Sequence, residues 1–320
     1  MSLLDLATEV SRRHAEKLRR ELGPVVRHAL QDPRVVEVLL NPDGKLWVDI
    51  LGEGLRDTGE TLSPAQAENL LGTVAALLGT VITAERPLLE GELPLDGSRF
   101  QGVLPPVVAQ PVFAIRKRAV QVFTLDDYVT GGLLTAAHAG AIREAVAQRR
   151  NLLVVGGTSS GKTTLANAIL AVIADQAGAR ERLVLLEDTV ELQCTAPNTV
   201  ALRTTETIDL TRLLRATLRL RPDRIIVGEV RGGEALALLK AWNTGHSGGL
   251  ATVHANSAEA GLLRLEQLIQ EAGVSPQPAL IAEAVHLIVH LVKEDGWRFV
   301  KAVTEVHGWE SGGGYRLKSL

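Results

Sequence analysis

The stretch NLLVVGGTSSGKTT, residues 151–164, decides the fold. Its opening apolar run reads as a strand covered on both faces. Gly156-Gly157-Thr158-Ser159-Ser160-Gly161-Lys162-Thr163 then matches G-x-x-x-x-G-K-S/T at every required position, with Thr164 continuing into a helix. The glycines let the backbone wrap and aim its N–H groups inward. The helix behind them adds the positive end of its dipole. Lys162 is placed to reach the β- and γ-phosphates of a nucleotide, and the Thr163 hydroxyl can sit on Mg²⁺. A plain glycine-rich turn would not require a strand before it and a helix after it.

Outward from this loop, residues 136–320 alternate regularly. Helices are expected at 136–149, 162–175, 209–220, 232–242 and 257–271. Between them lie the strand-like runs RLVLLE (182–187), TVALRT (199–204), RIIVGE (224–229) and LATVHA (250–255). After a short helix, HLIVHLVK (286–293) turns through Glu294-Asp295-Gly296 into WRFVKAVTEV, an antiparallel hairpin. The pattern predicts an α/β domain around a largely parallel sheet.

A phosphate loop of this kind needs an acid for Mg²⁺ at the end of a nearby apolar strand. RLVLLED ends in Glu187-Asp188 and RIIVGE in Glu229. Either acid alone could cap the element that follows it, but two on parallel strands after a phosphate loop point to catalysis. One is expected to hold Mg²⁺ through water and the other to orient or deprotonate the attacking water. Glu229 is assigned to the metal, with Asp188 as a secondary metal candidate, and Glu187 to the water; the sequence does not force that order. In WNTGHSGGLATVHANS (242–257), Gly245, Gly248 and Gly249 suggest a mobile approach to a strand ending in His254. A histidine at such a strand tip faces the ligand edge of the sheet, where it can sense the γ-phosphate. A purely structural histidine is the alternative.

The first part of the chain has a different grammar. Residues 3–30 read as one or two amphipathic helices broken at Gly23-Pro24. VVEVLL (35–40) and LWVDI (46–50) flank Asn41-Pro42-Asp43-Gly44 as a hairpin. Ser63-Pro64-Ala65-Gln66 is a capping box opening a helix to about Leu78. ELPLDGSRFQGVLPPV and PVFAIRKR supply two further strand-like pieces. A small α+β domain is therefore expected over residues 1–118, a linker over 119–135, and the phosphate-loop domain over 136–320. In the linker, Thr124 and Asp127 can cap a short turn and Gly131-Gly132 form a joint.

Composition narrows the classes. A net charge of −3 gives no basic field for coating nucleic acid, and 3% aromatics argue against a stacking platform for single strands. No direct sequence-specific nucleic-acid binding is expected. The lone Cys194 allows no disulfide within the chain, which fits a reducing cytoplasm. The N-terminus mixes charges into its apolar positions, unlike a signal peptide, and no run reaches the ~18 apolar residues of a membrane span. Membrane contact is thus expected to be peripheral.

Taken in order, GGTSSGKTT, LLEDTVEL, LRLRPDRIIVGEVRGGEA and NTGHSGGLATVHANS resemble the Walker A loop, Asp box, Walker B region and His box of the secretion traffic ATPases. LLNPDGKLWVD (39–49), SRFQGVLPPVV (98–108) and FAIRKRAVQVFTLDDYV (113–129) resemble the conjugal-transfer, TrbB-type branch of the type IV secretion ATPases. The resemblance implies a RecA-like core preceded by a PAS-like domain. It also implies a homohexamer on the cytoplasmic side of the inner membrane, peripheral to it and docked on other components of a secretion or conjugation machine. ATP would bind between the two domains, and its hydrolysis would power pilus assembly or substrate transfer. In the matching segments Arg99 and Arg116 stand where the family's N-terminal arginines reach the nucleotide phosphates. Arg215, Arg219 and Arg231 are further candidates. A type IV pilus or type II secretion motor, or a low-turnover nucleotide-dependent assembly module, is the alternative reading.

Overall fold

The computed structural model describes residues 13–50, 53–117, 122–205, 207–294 and 297–320. The chain divides into two compact units, Met1–Gln121 and Val122–Leu320.

In the first unit, residues 13–21 are helical and a second helix, Gly23–Gln31, begins where Gly23 takes φ +70 ahead of Pro24. Residues 3–12 of the expected amphipathic stretch lie outside the described residues. Strands β1 (Val35–Leu40), β2 (Lys45–Ile50), β3 (Gly54–Thr61), β4 (Leu88–Glu92), β5 (Arg99–Val103) and β6 (Val112–Arg116) form one sheet in the order β3-β2-β1-β6-β5-β4. Every neighbouring pair is antiparallel. The helix Pro64–Leu77 starts with the expected box: Ser63 N donates to Gln66 Oε1 at 2.8 Å and Gln66 N to Ser63 Oγ at 3.3 Å. Its Leu70, Leu71 and Val74 pack with Leu18, Leu22 and Val26 over the inward residues Val38, Phe100 and Ile115. A Cβ at Gly102 would come within 2.3 Å of the Leu71 side chain, so the glycine is where helix and sheet close together. β3 was not anticipated. GLRDTGET has no apolar alternation and is almost wholly exposed, so it is a strand only because β2 offers it an edge.

Among the described residues the second unit is built on eight strands: β7 (Leu152–Gly156), β8 (Leu183–Glu187), β9 (Thr199–Arg203), β10 (Arg224–Val227), β11 (Leu250–His254), β12 (Leu287–Glu294), β13 (Trp297–Glu310) and β14 (Gly314–Ser319). Their order is β14-β13-β12-β7-β11-β10-β8-β9. From β12 to β9 each pair is parallel; β13 and β14 add antiparallel strands at the other end. β7, β8 and β10 are buried along their whole length, as strands under helices on both faces must be. One core cluster packs Ile169, Leu170 and Ile173 of the helix Lys162–Ala177 against the sheet. Leu238 and Leu239 of the helix Glu234–Asn243, with Leu265 and Ile269 of Ala258–Glu271, belong to a second cluster. β14 extends the expected hairpin by one strand.

The described part of the segment expected as a linker folds into this second unit. Thr124 and Asp127 form a full capping box that opens the helix Leu125–Thr130, and Leu125, Tyr128 and Leu134 enter the core. Val300 N of β13 donates to Leu133 O at 2.8 Å. The apolar residues of 125–134 need cover, and the sheet provides it. No helix of the described residues is long and apolar enough to cross a membrane.

Candidate functional site

Parallel strands bring their C-terminal ends to one edge, and that edge collects most of the expected site. β7 runs into the phosphate loop, where Gly161 at φ +96 turns the chain into the helix Lys162–Ala177. Ser159 is also left-handed, at φ +56. Gly156 must be a glycine: a Cβ there would lie 2.5 Å from Leu291 O and 2.6 Å from Ser160 Oγ. The Ser160 hydroxyl is buried without a hydrogen-bond partner, as suits a donor reserved for phosphate. Arg298 Nε, from β13, donates to Ser159 O at 2.9 Å. Gly157, Thr158, Thr163 and Thr164 complete the loop and the start of its helix as the sequence predicted.

Lys162 is buried, at 7% exposure, and its ammonium donates to Gly157 O at 3.0 Å. The same Nζ lies 3.1 Å from His254 Nδ1, at the tip of β11. His254 Nε2 is 2.7 Å from Glu229 Oε1. Glu229 Oε1 itself is buried, with this ion-pair approach of the His254 ring beside it. Glu229 Oε2 accepts from Arg231 Nη2 at 2.7 Å. Arg231 Nη1 lies 3.7 Å from Asp188 Oδ2, and Asp188 Oδ1 accepts from Thr204 Oγ1 at 3.1 Å. The hydrogen bond and charge of Glu229 hold the Arg231 pKa above its ordinary value, so the guanidinium stays charged. A continuous polar chain thus runs from the phosphate-loop lysine through His254 and Glu229 to Arg231 and Asp188. Sequence positions 162, 188, 229 and 254 meet only because β7, β11, β10 and β8 are neighbours.

Glu187, at the end of β8, is buried and already employed. Its Oε1 accepts from Glu191 N and Leu192 N, both at 2.8 Å, and so shapes the loop after the strand. The carboxylate crosses Gly228, where a Cβ would fall 3.0 Å from Glu187 Cγ; this brings the two acidic segments against one another. Glu234 braces the next loop in the same way, accepting from Arg231 N at 2.7 Å and Gly232 N at 2.9 Å.

Gly248 and Gly249 do not form the mobile approach that the sequence suggests: they lie at the opposite edge of the sheet and are pinned there, whereas Gly245 is exposed at φ +106 with open space where a Cβ would stand. Gly248 N and Gly249 N donate to Asn151 Oδ1 at 2.8 and 2.9 Å, while Asn151 Nδ2 donates to Ala284 O at 2.7 Å. Arg224, 2% exposed, pairs with Glu181 and donates to Gly248 O. Trp242 crosses Gly249 so closely that a Cβ would lie 2.1 Å from its Nε1. Gly248 and Gly249 are required for this packing, and His254 carries the segment to the phosphate edge at the far end of β11. Asn151 and Arg224 carried no signal in the sequence, because their partners are distant along the chain.

The arginine candidates separate. Arg231 joins the site. Arg215 lies exposed on the helix Leu210–Thr217, and Arg219 falls beyond that helix's end rather than on it, near the edge where β10 begins. In the first unit, Arg99 and Arg116 stand directly opposite each other on β5 and β6. Glu92 faces Arg99 across β4, and Glu37 faces Arg116 across β1, with Arg116 Nε 4.0 Å from Glu37 Oε1. The row reads acid, arginine, arginine, acid on one face, so the flanking carboxylates offset the repulsion between the paired cations. Cys194 is a half-buried packing residue whose Sγ lies 3.4 Å from Thr199 Oγ1.

A family model described as "Type II/IV secretion system protein" matches residues 69–306. The chain is 51% identical to a "Probable conjugal transfer protein TrbB" of Sinorhizobium fredii, over 94% of this chain and 92% of that one. It is 32% identical to "Type IV secretion system protein PtlH" of Bordetella pertussis, over 85% and 89%. Among solved structures, the ATPase DotB of Yersinia pseudotuberculosis superposes with a TM-score of 0.61 at 17% identity, covering 88% of this chain and 77% of that one. The pilus retraction motor PilT with bound ADP gives 0.58 at 18%, covering 92% and 80%. These last two likenesses bear on the fold.

Proposed function

The chain belongs to the type II/IV secretion system protein family, as a P-loop NTPase of the conjugal-transfer type IV secretion branch, and we propose that it works as a homohexamer coupling Mg-ATP hydrolysis to domain motion at the cytoplasmic face of the inner membrane. The observation that carries this reading is the meeting of Lys162, His254 and Glu229 at the phosphate-loop edge.

The residues divide the work as follows. The loop amides of 156–164 and the Ser160 hydroxyl hold the phosphates. Lys162 gives up Gly157 O and His254 Nδ1 to pair with the incoming phosphate oxygens. His254, released from that ammonium, registers whether the γ-phosphate is present and passes the change to Glu229 and Arg231. Glu187 orients the attacking water, its position fixed by the two amides it accepts. Arg99 and Arg116 contribute positive charge toward the phosphates as they separate.

Among the described residues no group of three or more His, Cys, Asp or Glu side chains forms a metal cage. Mg²⁺ in nucleotide sites is held mainly by water, phosphate oxygens and one or two protein groups. Thr163 and the buried Glu229 Oε1, which makes no hydrogen bond, fit that demand, with Asp188 behind them. When bound, the ion neutralises phosphate charge.

The test is phosphate release by the purified full chain and its variants. Lys162→Ala is expected to lose nucleotide binding and turnover together. A Lys162→Ala rate equal to wild type would refute the site.

A further inference from the structure

Arg298 is 139 residues from the phosphate loop in sequence, yet it supplies that loop's contact with β13. Its Nε donates to Ser159 O at 2.9 Å. Ser159 holds φ +56, a conformation that an L-residue keeps only when its surroundings impose it. Gly161, two residues on, lies under the arginine's stem: a Cβ there would be 3.5 Å from Arg298 Cδ. The other end of the 159–160 peptide is weakly held, since Ser160 N reaches Gly157 O only at 3.4 Å. The carbonyl end is therefore where the peptide plane is fixed.

β13 is a firm base for this contact. Arg298 pairs across to Lys293 of β12, and β12 runs parallel alongside β7, the strand that delivers the loop. Two residues further on, Val300 N is bonded to Leu133 O. The arginine's charge also bears on the Tyr128 hydroxyl, which burial pushes well above its ordinary pKa.

We propose that Arg298 is a positioning residue for nucleotide phosphate binding: it pins the Ser159 carbonyl outward, so that the 159–160 peptide cannot turn that oxygen toward the phosphates. This rests on the nucleotide reading above. Arg298 acts through the loop rather than on the base, the ribose or the γ-phosphate. Its loss therefore weakens every polyphosphate ligand in the same ratio. Loss of one charge-assisted hydrogen bond corresponds to about tenfold in affinity.

The experiment is calorimetric titration of the full chain with Mg-ADP, Mg-GDP and inorganic tripolyphosphate, for wild type, Arg298→Ala and Arg298→Lys. Ligand-free melting is recorded beside it. Arg298→Ala is expected to bind all three about tenfold more weakly, at unchanged ligand-free melting temperature. Arg298→Lys, which keeps a cation in reach of the carbonyl, is expected to recover part of the loss. Unchanged affinities would overturn the proposal. So would a loss confined to the two nucleotides, which would mean contact with base or ribose, or one confined to tripolyphosphate, which would mean contact with the third phosphate. If Arg298→Ala does not fold, Arg298→Lys carries the test, with a smaller uniform loss expected and none overturning. Failure of the wild type to bind any of the three would remove the nucleotide reading itself; wild-type binding with unaffected variants removes only the role of Arg298.

Discussion

A buried lysine needs partners, and Lys162 finds them in a backbone oxygen and a histidine ring. Substitution by alanine removes the only loop group that can follow the phosphates with a full charge. Glu187→Gln keeps an oxygen that can accept from Glu191 N and Leu192 N, so the fold survives while the charge is lost. That variant is expected to bind ATP normally and to turn over more slowly, by a factor on the order of 10²–10⁴. Glu229→Gln is expected to weaken Mg²⁺-dependent binding instead, measured as the change in nucleotide affinity on adding the ion. The reverse pattern would exchange the two roles. The phosphate loop was legible in the sequence because its chemistry is local: nine consecutive residues carry the glycines, the lysine and the hydroxyls. The contact of Lys162 with His254 was not, since 92 residues separate the partners and only the β7–β11 register joins them.

Elements set where those residues stand. Asn151 ties β7 to the Gly248-Gly249 turn and to Ala284. Asn151→Ala leaves two buried N–H groups and a carbonyl without partners, at a cost of about 2–5 kcal/mol, read from denaturant melts. The backbone N–H of Asn151 donates to His286 Nδ1 at 3.0 Å, which requires that nitrogen unprotonated. Burial first, and the Arg150 charge second, lower the His286 pKa from 6.5. The unfolded chain then binds more protons below that value, so this contribution is full above about pH 6.5 and is lost as pH falls through the lowered pKa. His290 is shifted in the same direction, again mainly by burial. Melting temperature is therefore expected to fall from pH 7 toward pH 5, and His286→Asn to flatten part of that slope. An equal slope in the variant would assign the dependence elsewhere. Periodicity revealed the strands that are buried or alternate, β1, β2, β7, β8, β10 and β11. It could not reveal β3, whose exposed polar residues carry no period, nor that Gly248 and Gly249 serve packing.

At the scale of the whole molecule, two units with separate cores share one chain, and the residues of 125–134 belong to the second. Sequence alone marked that segment by its glycine pair and capping residues; its burial depends on β13, which follows more than 160 residues later. The paired Arg99 and Arg116 lie in the first unit, and the phosphate loop in the second. If those arginines serve hydrolysis, Arg99→Ala and Arg116→Ala are expected to lower kcat with little change in ADP affinity. Mixing Arg116→Ala with Lys162→Ala chains then asks whether one chain's arginine serves another chain's nucleotide, and recovery of activity on mixing is the result expected for action across a ring. The measurement that bears most directly on the central claim is phosphate release from Mg-ATP by size-fractionated protein of measured mass, for wild type and Lys162→Ala. A six-chain peak that hydrolyses ATP, beside a Lys162→Ala peak of equal mass that does not, is the predicted result; a monomer with full activity, or a hexamer whose hydrolysis survives Lys162→Ala, would contradict it.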